Sequence, residues 1–289
     1  MRFWQFLPFE EPGQLVELAR IAEDVGFHGV LLGDHLAFPE KLQSPYPYSA
    51  DGRPGFGPET PWPDPWVTLG AMASVTTRLR LSTSIYILPL RHPLHAAKAI
   101  STAAVLSGGR VALGTGVGWM REEFEAVGED FAHRGRRTDE MVQVLRKLWS
   151  GEVVEHHGAH FDFDALRMRP APPEPIPIYI GGASAPALRR AARLGDGWIS
   201  AGSTPKEIPG VLARLQQLRR EAGREHLPFE TLLSVAAPPE LDRFRRLRDE
   251  GVTAVVNWPL RYVLGPDSSL ERKRQALEDY AERFIQPFG

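Results

Sequence analysis

Arg2-Phe-Trp-Gln-Phe-Leu7, then Leu15, Leu18, Ala19, Ala22 and Val25 ahead of Gly26, then His28-Gly-Val-Leu-Leu-Gly33: this opening stretch decides the fold. The first segment is short, apolar and aromatic, and Pro8 ends it. The five positions that follow recur at helical spacing, and Gly26 sits where a helix would stop. The third segment is again short and apolar. Strand, helix and strand in this compass make a βαβ unit. The rhythm then repeats. Apolar or β-branched runs lie at Leu79–Leu88, Arg110–Gly116, Pro177–Gly181, Gly197–Ala201, Thr231–Ala236 and Val252–Trp258. Helical patterns fall between them at Pro65–Thr76, Leu94–Leu106, Arg121–Val127 with Thr138–Trp149, Pro186–Leu194, Pro205–Ala222 and Pro239–Glu250, with a last helix near Ser269–Phe284. Strands without a polar face suit a sheet covered on both sides. Eight of them, each with a following helix, predict a closed (β/α)8 TIM barrel made of one domain, residues 1–289. The rival is a doubly wound open sheet, and the count of eight favours the barrel.

Two segments interrupt the rhythm. Leu36–Pro63, after the second strand, is rich in Pro, Gly, Tyr and Trp. Long structureless loops in compact domains are usually functional lids, though a packing or subunit-contact loop is the plainer alternative. Val153–Met168, after strand four, holds His157-Gly158 between alternating residues and reads as an inserted hairpin.

Composition narrows the function classes. A formal net charge of −2 gives no reason to expect nucleic acid or an anionic membrane as a partner. The absence of cysteine excludes disulfides, thiolate metal sites and cysteine nucleophiles. No apolar run is long enough to span a bilayer, and the first residues lack the layout of a signal peptide. These features predict a cytoplasmic protein acting on a small molecule.

In a barrel, chemistry sits at the C-terminal ends of the strands. Strand two ends in Asp34-His35, the best catalytic candidate, because histidine exchanges protons near neutral pH and a carboxylate can orient it. Neighbours along a strand face opposite ways, so the two need not touch. A hydrogen-bonded structural histidine fits the dipeptide equally. Strand four runs into Gly114-Thr-Gly-Val-Gly118, whose spacing is neither the dinucleotide fingerprint nor a P-loop. Its glycines would let backbone approach a flat ligand, or make a plain turn. Strand five ends in Gly181-Gly182-Ala183-Ser184, where Ser184 caps a helix with Pro186 in its first turn. Unpaired N–H groups there suit a phosphate, and an ordinary cap is the alternative. His92 and His95 lack a third ligand, and His156, His157 and His160 lie on a surface hairpin, so no metal site is expected. Arg214–Arg224 reads as a solvated helix face. No Gly-x-Ser-x-Gly elbow supports a serine hydrolase.

Several stretches together resemble the luciferase-like family of flavin and deazaflavin oxidoreductases. They are Pro89-Leu-Arg-His-Pro93, Leu106-Ser-Gly-Gly-Arg110, Val111-Ala-Leu-Gly-Thr-Gly-Val-Gly-Trp119, Glu122-Glu-Phe124, Arg134-Gly-Arg-Arg-Thr-Asp139, Gly181-Gly-Ala-Ser-Ala-Pro-Ala-Leu188 and Leu194-Gly-Asp-Gly-Trp198. Asp34-His35 with Tyr46-Pro-Tyr-Ser-Ala-Asp-Gly52 is similar to the subgroup that uses coenzyme F420, a 5-deazaflavin. The resemblance implies a tricyclic ring laid over the strand ends, supported by a cis peptide at Ser84–Ile85, with Gly114, Gly116 and Gly118 nearby and a phosphate at Gly181–Ser184. It implies that Asp34 and His35 sit at the reactive edge of the ring and that the protein is a homodimer. Sugar-phosphate-oxidising members carry Glu after the strand-four glycines, where this chain has Trp119. That departure suggests an apolar or aromatic substrate, lined by Trp119 with Phe38, Tyr46, Tyr48, Trp62, Trp66 and Trp258. The expected function is therefore an F420-dependent oxidoreductase. The alternatives are an FMN-dependent monooxygenase on the same fold and a non-catalytic cofactor-binding or structural barrel.

Overall fold

Phe3 and Trp4, neighbours on β1 (Arg2–Phe6), enter two different cores. The alternation of side chains along a strand produces that split. Phe3 faces the helices, in the large outer core. Trp4 faces inward, where Leu31, Ala112, Tyr179, Ile199, Leu232, Ala254 and Val256 meet it and fill the centre. The computed structural model describes residues 1–288, so Gly289, the last residue of the expected domain, lies outside the described residues.

The elements follow in the predicted order. α1 (Leu15–Asp24) and β2 (Gly29–Leu32) complete the first unit, and α2 (Pro65–Val75), β3 (Arg80–Thr83), β4 (Tyr86–Ile87) and α3 (Pro93–Leu106) come next. β5 (Val111–Gly116), α4 (Arg121–Ala126), α5 (Arg134–Trp149) and the hairpin β6 (Val153–His157) and β7 (Asp162–Arg167) follow. The chain ends with β8 (Ile178–Gly181), α6 (Ala185–Leu194), β9 (Gly197–Ile199), α7 (Ile208–Glu221), β10 (Glu230–Ser234), α8 (Leu241–Asp249), β11 (Ala254–Asn257), α9 (Leu260–Leu264) and α10 (Leu270–Tyr280).

All the strands outside the hairpin pair in parallel, in the order β3-β2-β1-β11-β10-β9-β8-β5, and pairing of β3 with β5 closes the ring. β4 is the upper end of the β3 stave. It follows the cis Ser84–Ile85 peptide and pairs with β5 through Tyr86 and Thr115. The fold is thus the expected closed (β/α)8 barrel with a solid centre. No helix among the described residues is long and apolar enough to cross a membrane.

Three details differ from the sequence reading. α5 starts at Arg134 rather than Thr138, because Asp130 caps a preceding 3-10 turn that runs directly into the helix. α9 was not foreseen, being a single turn after Pro259 with little periodicity of its own. Arg219 does not lie on a solvated face. It is 7% exposed, donates to the carbonyls of Arg224 and Leu227, and packs on the ring of Phe229. Its long stem lets it fill an apolar seam while its head finds backbone acceptors.

Residues 36–63 carry neither helix nor strand among the described residues. The loop ends at Asp64, whose carboxylate accepts from Trp66 N–H and Val67 N–H and so starts α2. The Val153–Met168 hairpin is present, with Gly158 N–H closing its turn onto Phe161.

Candidate active site

Strand β2 delivers Asp34 and His35 to the barrel mouth, and the two side chains go to different partners. Arg91, at the approach to α3, grips both oxygens of Asp34 at 2.5 and 2.8 Å, and Ile87 N–H adds a third bond at 2.8 Å. Burial pushes the Asp34 carboxyl up from the usual carboxylate range, while Arg91 and the Ile87 N–H pull the other way. Three donors on two oxygens match the ionised form, which only accepts. Arg91 also lies over the Tyr86 ring at 4.4 Å. Asp34 therefore braces the end of β2 against the segment after the cis peptide.

His35 turns the other way. Its Nδ1 lies 3.0 Å from Oε2 of Glu123, a carboxylate only 2% exposed. Leu36 N–H donates to the other Glu123 oxygen at 2.6 Å. An acceptor at Nδ1 places the ring proton there and leaves Nε2 with its lone pair. Nucleophile and base constellations are commonly built this way, with a carboxylate fixing the imidazole tautomer. In the sequence Glu123 stands only as the middle of Glu122-Glu-Phe124. Nothing local linked it to His35, 88 positions away.

Aromatic rings wall the histidine. Trp62 stands 4.8 Å from it, Phe56 5.2 Å and Trp119 6.0 Å, between ring centroids. Tyr46 packs edge-on against Trp119 at 5.1 Å, and Phe38 against Phe56 at 5.9 Å. Burial, with Tyr48 and Tyr262 nearby, pushes the Tyr46 hydroxyl up to about 12, so it stays neutral at physiological pH. Trp62 rests on bare backbone: a Cβ on Gly33 would come 2.6 Å from its indole ring. Among the substrate-lining candidates, Phe38, Tyr46, Trp62 and Trp119 are brought together. Tyr48 is 50% exposed and touches the group only through Tyr46. Trp66 is placed elsewhere, in the outer core against Tyr86. Trp258 sits at the end of β11 with its indole N–H on the Val235 carbonyl. Phe56 and Phe9, which packs on Phe56 and Trp62, were missed because isolated aromatics in a loop carry no periodic signal.

The loop is latched to α4 by adjacent acids. Glu123 holds Leu36, while Glu122 accepts from Gln43 N–H at 2.7 Å, Ser44 N–H at 2.9 Å and the Ser44 hydroxyl at 2.7 Å. Burial acts to raise the Glu122 carboxyl, but the Ser44 and Gln43 donors outweigh it and hold the group below the usual range. A depressed folded pKa means that the latch is complete above the ordinary glutamate value of about 4.3 and is lost as pH falls through the lower folded value. Glu122→Ala should thus speed amide exchange of residues 36–63 at neutral pH without changing exchange in the barrel strands. Equal protection in parent and variant would rule out the latch.

The glycines at the end of β5 and just beyond it pack closely against the protein's own chain. A Cβ on Gly114 would lie 1.8 Å from the Thr83 carbonyl, and one on Gly116 1.9 Å from the Ile85 side chain. Gly118 has φ +77°, and a Cβ there would reach Ile87 at 2.6 Å. Gly181 also abuts Ile85, at 2.5 Å from the virtual Cβ, so Ile85 is seated between the ends of β5 and β8. At the α6 start, Ser184 caps the helix by accepting from Ala187 N–H, as expected. The Gly182 N–H is not free, since it donates to the Ile199 carbonyl at 3.3 Å. The N–H groups of Ala183 and Ser184 have no protein acceptor among the described residues.

The luciferase-like monooxygenase family matches residues 1–245, and the chain belongs to that family. An uncharacterized protein of Mycobacterium tuberculosis is 39% identical over 272 residues, covering 93% of this chain and 94% of that protein. An F420-dependent glucose-6-phosphate dehydrogenase of Nakamurella multipartita is 31% identical over 284 residues, covering 95% of this chain and 79% of that protein. The structure of the coenzyme F420-dependent tetrahydromethanopterin reductase of Methanopyrus kandleri superimposes with a TM-score of 0.74, covering 100% of this chain and 99% of that one. At 19% identity that likeness shows the shared barrel fold.

Proposed function

We propose that this protein is a coenzyme F420-dependent oxidoreductase that passes a hydride between the deazaflavin and a small organic substrate with an apolar or aromatic face. The observation that carries the reading is the buried Glu123–His35 pair at a barrel strand end, enclosed by Trp62, Phe56 and Trp119. Relatives named F420-dependent at 31% and 32% identity support the cofactor.

The residues fit such a group. The free N–H groups of Ala183 and Ser184 at the head of α6 would hold its phosphate. The Trp62 indole N–H is buried beside His35 without a partner among the described residues, a donor left over for a bound ligand. When bound, the deazaflavin supplies carbon 5 as hydride donor or acceptor. His35 Nε2 gives or takes the proton that accompanies the hydride at the substrate. Glu123 keeps the imidazole in the required tautomer and balances its charge when protonated. Trp119 and Tyr46 present rings rather than a carboxylate to the substrate, which disfavours sugar phosphates and favours flat or apolar molecules. The latched loop keeps water from the mouth.

Glu123→Gln should lower kcat by roughly ten- to hundredfold, the worth of a hydrogen bond to a charged group of about 1.5–3 kcal/mol. It should also alter the pH profile of kcat, which a purely structural role would leave unchanged. The activity itself is tested by following oxidation of reduced F420 without oxygen, against a panel of aromatic aldehydes, quinones and enones with glucose 6-phosphate as comparison. Turnover of the panel supports the proposal. Activity that needs both FMN and oxygen would replace it with the monooxygenase reading.

A further inference from the structure

Two arginines at the rim end of β5 share one aromatic ring and have no carboxylate partner among the described residues. The guanidinium carbon of Arg134 lies 3.7 Å from the centre of the Phe131 ring, and that of Arg121 lies 4.5 Å from it. Arg134 Nε donates to the Gly118 carbonyl at 3.2 Å, and one terminal nitrogen donates to the Phe131 carbonyl at 2.8 Å. These bonds fix its plane against the mouth of the barrel. Arg121 is exposed and opens α4, where its backbone N–H donates to Ser44 of the loop at 3.0 Å.

Most of the acids around this pair are engaged elsewhere. Asp130 pairs with His133 at 2.8 Å and Glu129 with Arg137 at 2.5 Å. Asp139 is taken by Arg190, which also donates to the Gly135 carbonyl at 2.9 Å and so ties α6 to the start of α5. Glu122 serves Ser44 and Glu123 serves His35. Glu125, one turn beyond Arg121, is exposed and forms no ion pair with it among the described residues. Each cation gains from the face of Phe131, but two like charges on one ring repel. Burial first, and then the charges of Arg121 and Arg190, depress the Arg134 guanidinium. An anion within reach of both heads would relieve that repulsion and could take charge-assisted bonds from planar donors.

We infer that Arg121 and Arg134 form an anion subsite on the rim, which takes the carboxylates of the cofactor's side chain, beyond the phosphate assigned to Ala183 and Ser184. The inference rests on the F420 reading above, since that coenzyme carries a phosphate and carboxylates on its side chain. An anionic substrate offers the same chemistry, and the test separates the two sources. The probes are F420 and its precursor Fo, the same deazaflavin without the anionic side chain. Binding is read from the ligands' own fluorescence at low and high salt, with no turnover needed.

Arg121→Glu should weaken F420 binding by roughly tenfold at low salt and flatten its salt dependence. Affinity for Fo should be unchanged. Arg272→Glu, the same charge change on an exposed residue of α10, should affect neither ligand. Arg121 makes no side-chain hydrogen bond among the described residues, so the variant should fold, as circular dichroism and the melting temperature will show. Equal F420 affinity in parent and Arg121→Glu overturns the subsite. Equal weakening of F420 and Fo also overturns it, because the residue would then act on the ring or the loop. If F420 affinity holds while KM for an acidic substrate rises, the side-chain assignment is wrong and the anion belongs to the substrate. A parent protein that binds neither deazaflavin overturns the cofactor reading itself.

Discussion

His35→Ala lowers turnover by about 10²–10⁴-fold, the usual contribution of a positioned acid–base group, while F420 affinity stays close to that of the parent. The expectation follows from geometry. Nδ1 is committed to Glu123, so Nε2 is the one nitrogen left for chemistry, and it sits on the strand end that faces the mouth. The substitution also removes ring contacts with Trp62 and Phe56, so a small loss of stability accompanies it. Single-turnover rates and the melting temperature must therefore be measured on the same preparation. A lower melting temperature with a normal rate per folded molecule would make His35 a packing residue only.

Asp34→Ala destabilises the fold by about 3–5 kcal/mol, as expected when one partner of a buried ion pair is removed. The Arg91 side chain is 14% exposed and would lose its two strongest acceptor contacts, and the Ile87 N–H would lose its partner as well. Asp34→Asn should cost less, because the amide oxygen still accepts. Equilibrium urea unfolding of the three proteins gives the comparison. Stability equal to the parent in Asp34→Ala would show that the Arg91 clamp contributes nothing. Loss of F420 affinity without loss of stability would instead give Asp34 the direct cofactor contact that the family resemblance implies.

The barrel was legible because its signal is local and repeated. A strand buried on both faces reads as an unbroken apolar run, and a covering helix reads as a stripe, so β1, α1 and β2 already show the unit that recurs. A helix start was legible where capping chemistry was read, as at Ser184. The position of His35 was legible from its strand end, but its partner was not. Glu123 and Glu122 look like ordinary helical acids until the chain returns to place them under the loop. Arg91 lies inside Pro89-Leu-Arg-His-Pro93, yet its grip on Asp34 is equally non-local. The aromatic wall was only half visible. Trp66 and Trp62 are four residues apart in a Pro-rich stretch, and only the turn from loop into α2 sends one to the core and the other to the mouth. Gly114, Gly116 and Gly118 show the same limit from the other side. The pattern allowed either a ligand's close approach or a plain turn, and the space a Cβ would take is filled by Thr83, Ile85 and Ile87.

The central claim, that this mouth is built for a deazaflavin, is tested most directly by titrating the purified protein with F420 and, separately, with FMN, following each by fluorescence. The account predicts saturable F420 binding with one site per chain and no saturable binding of FMN over the same range. Saturable FMN binding with no response to F420 would contradict it.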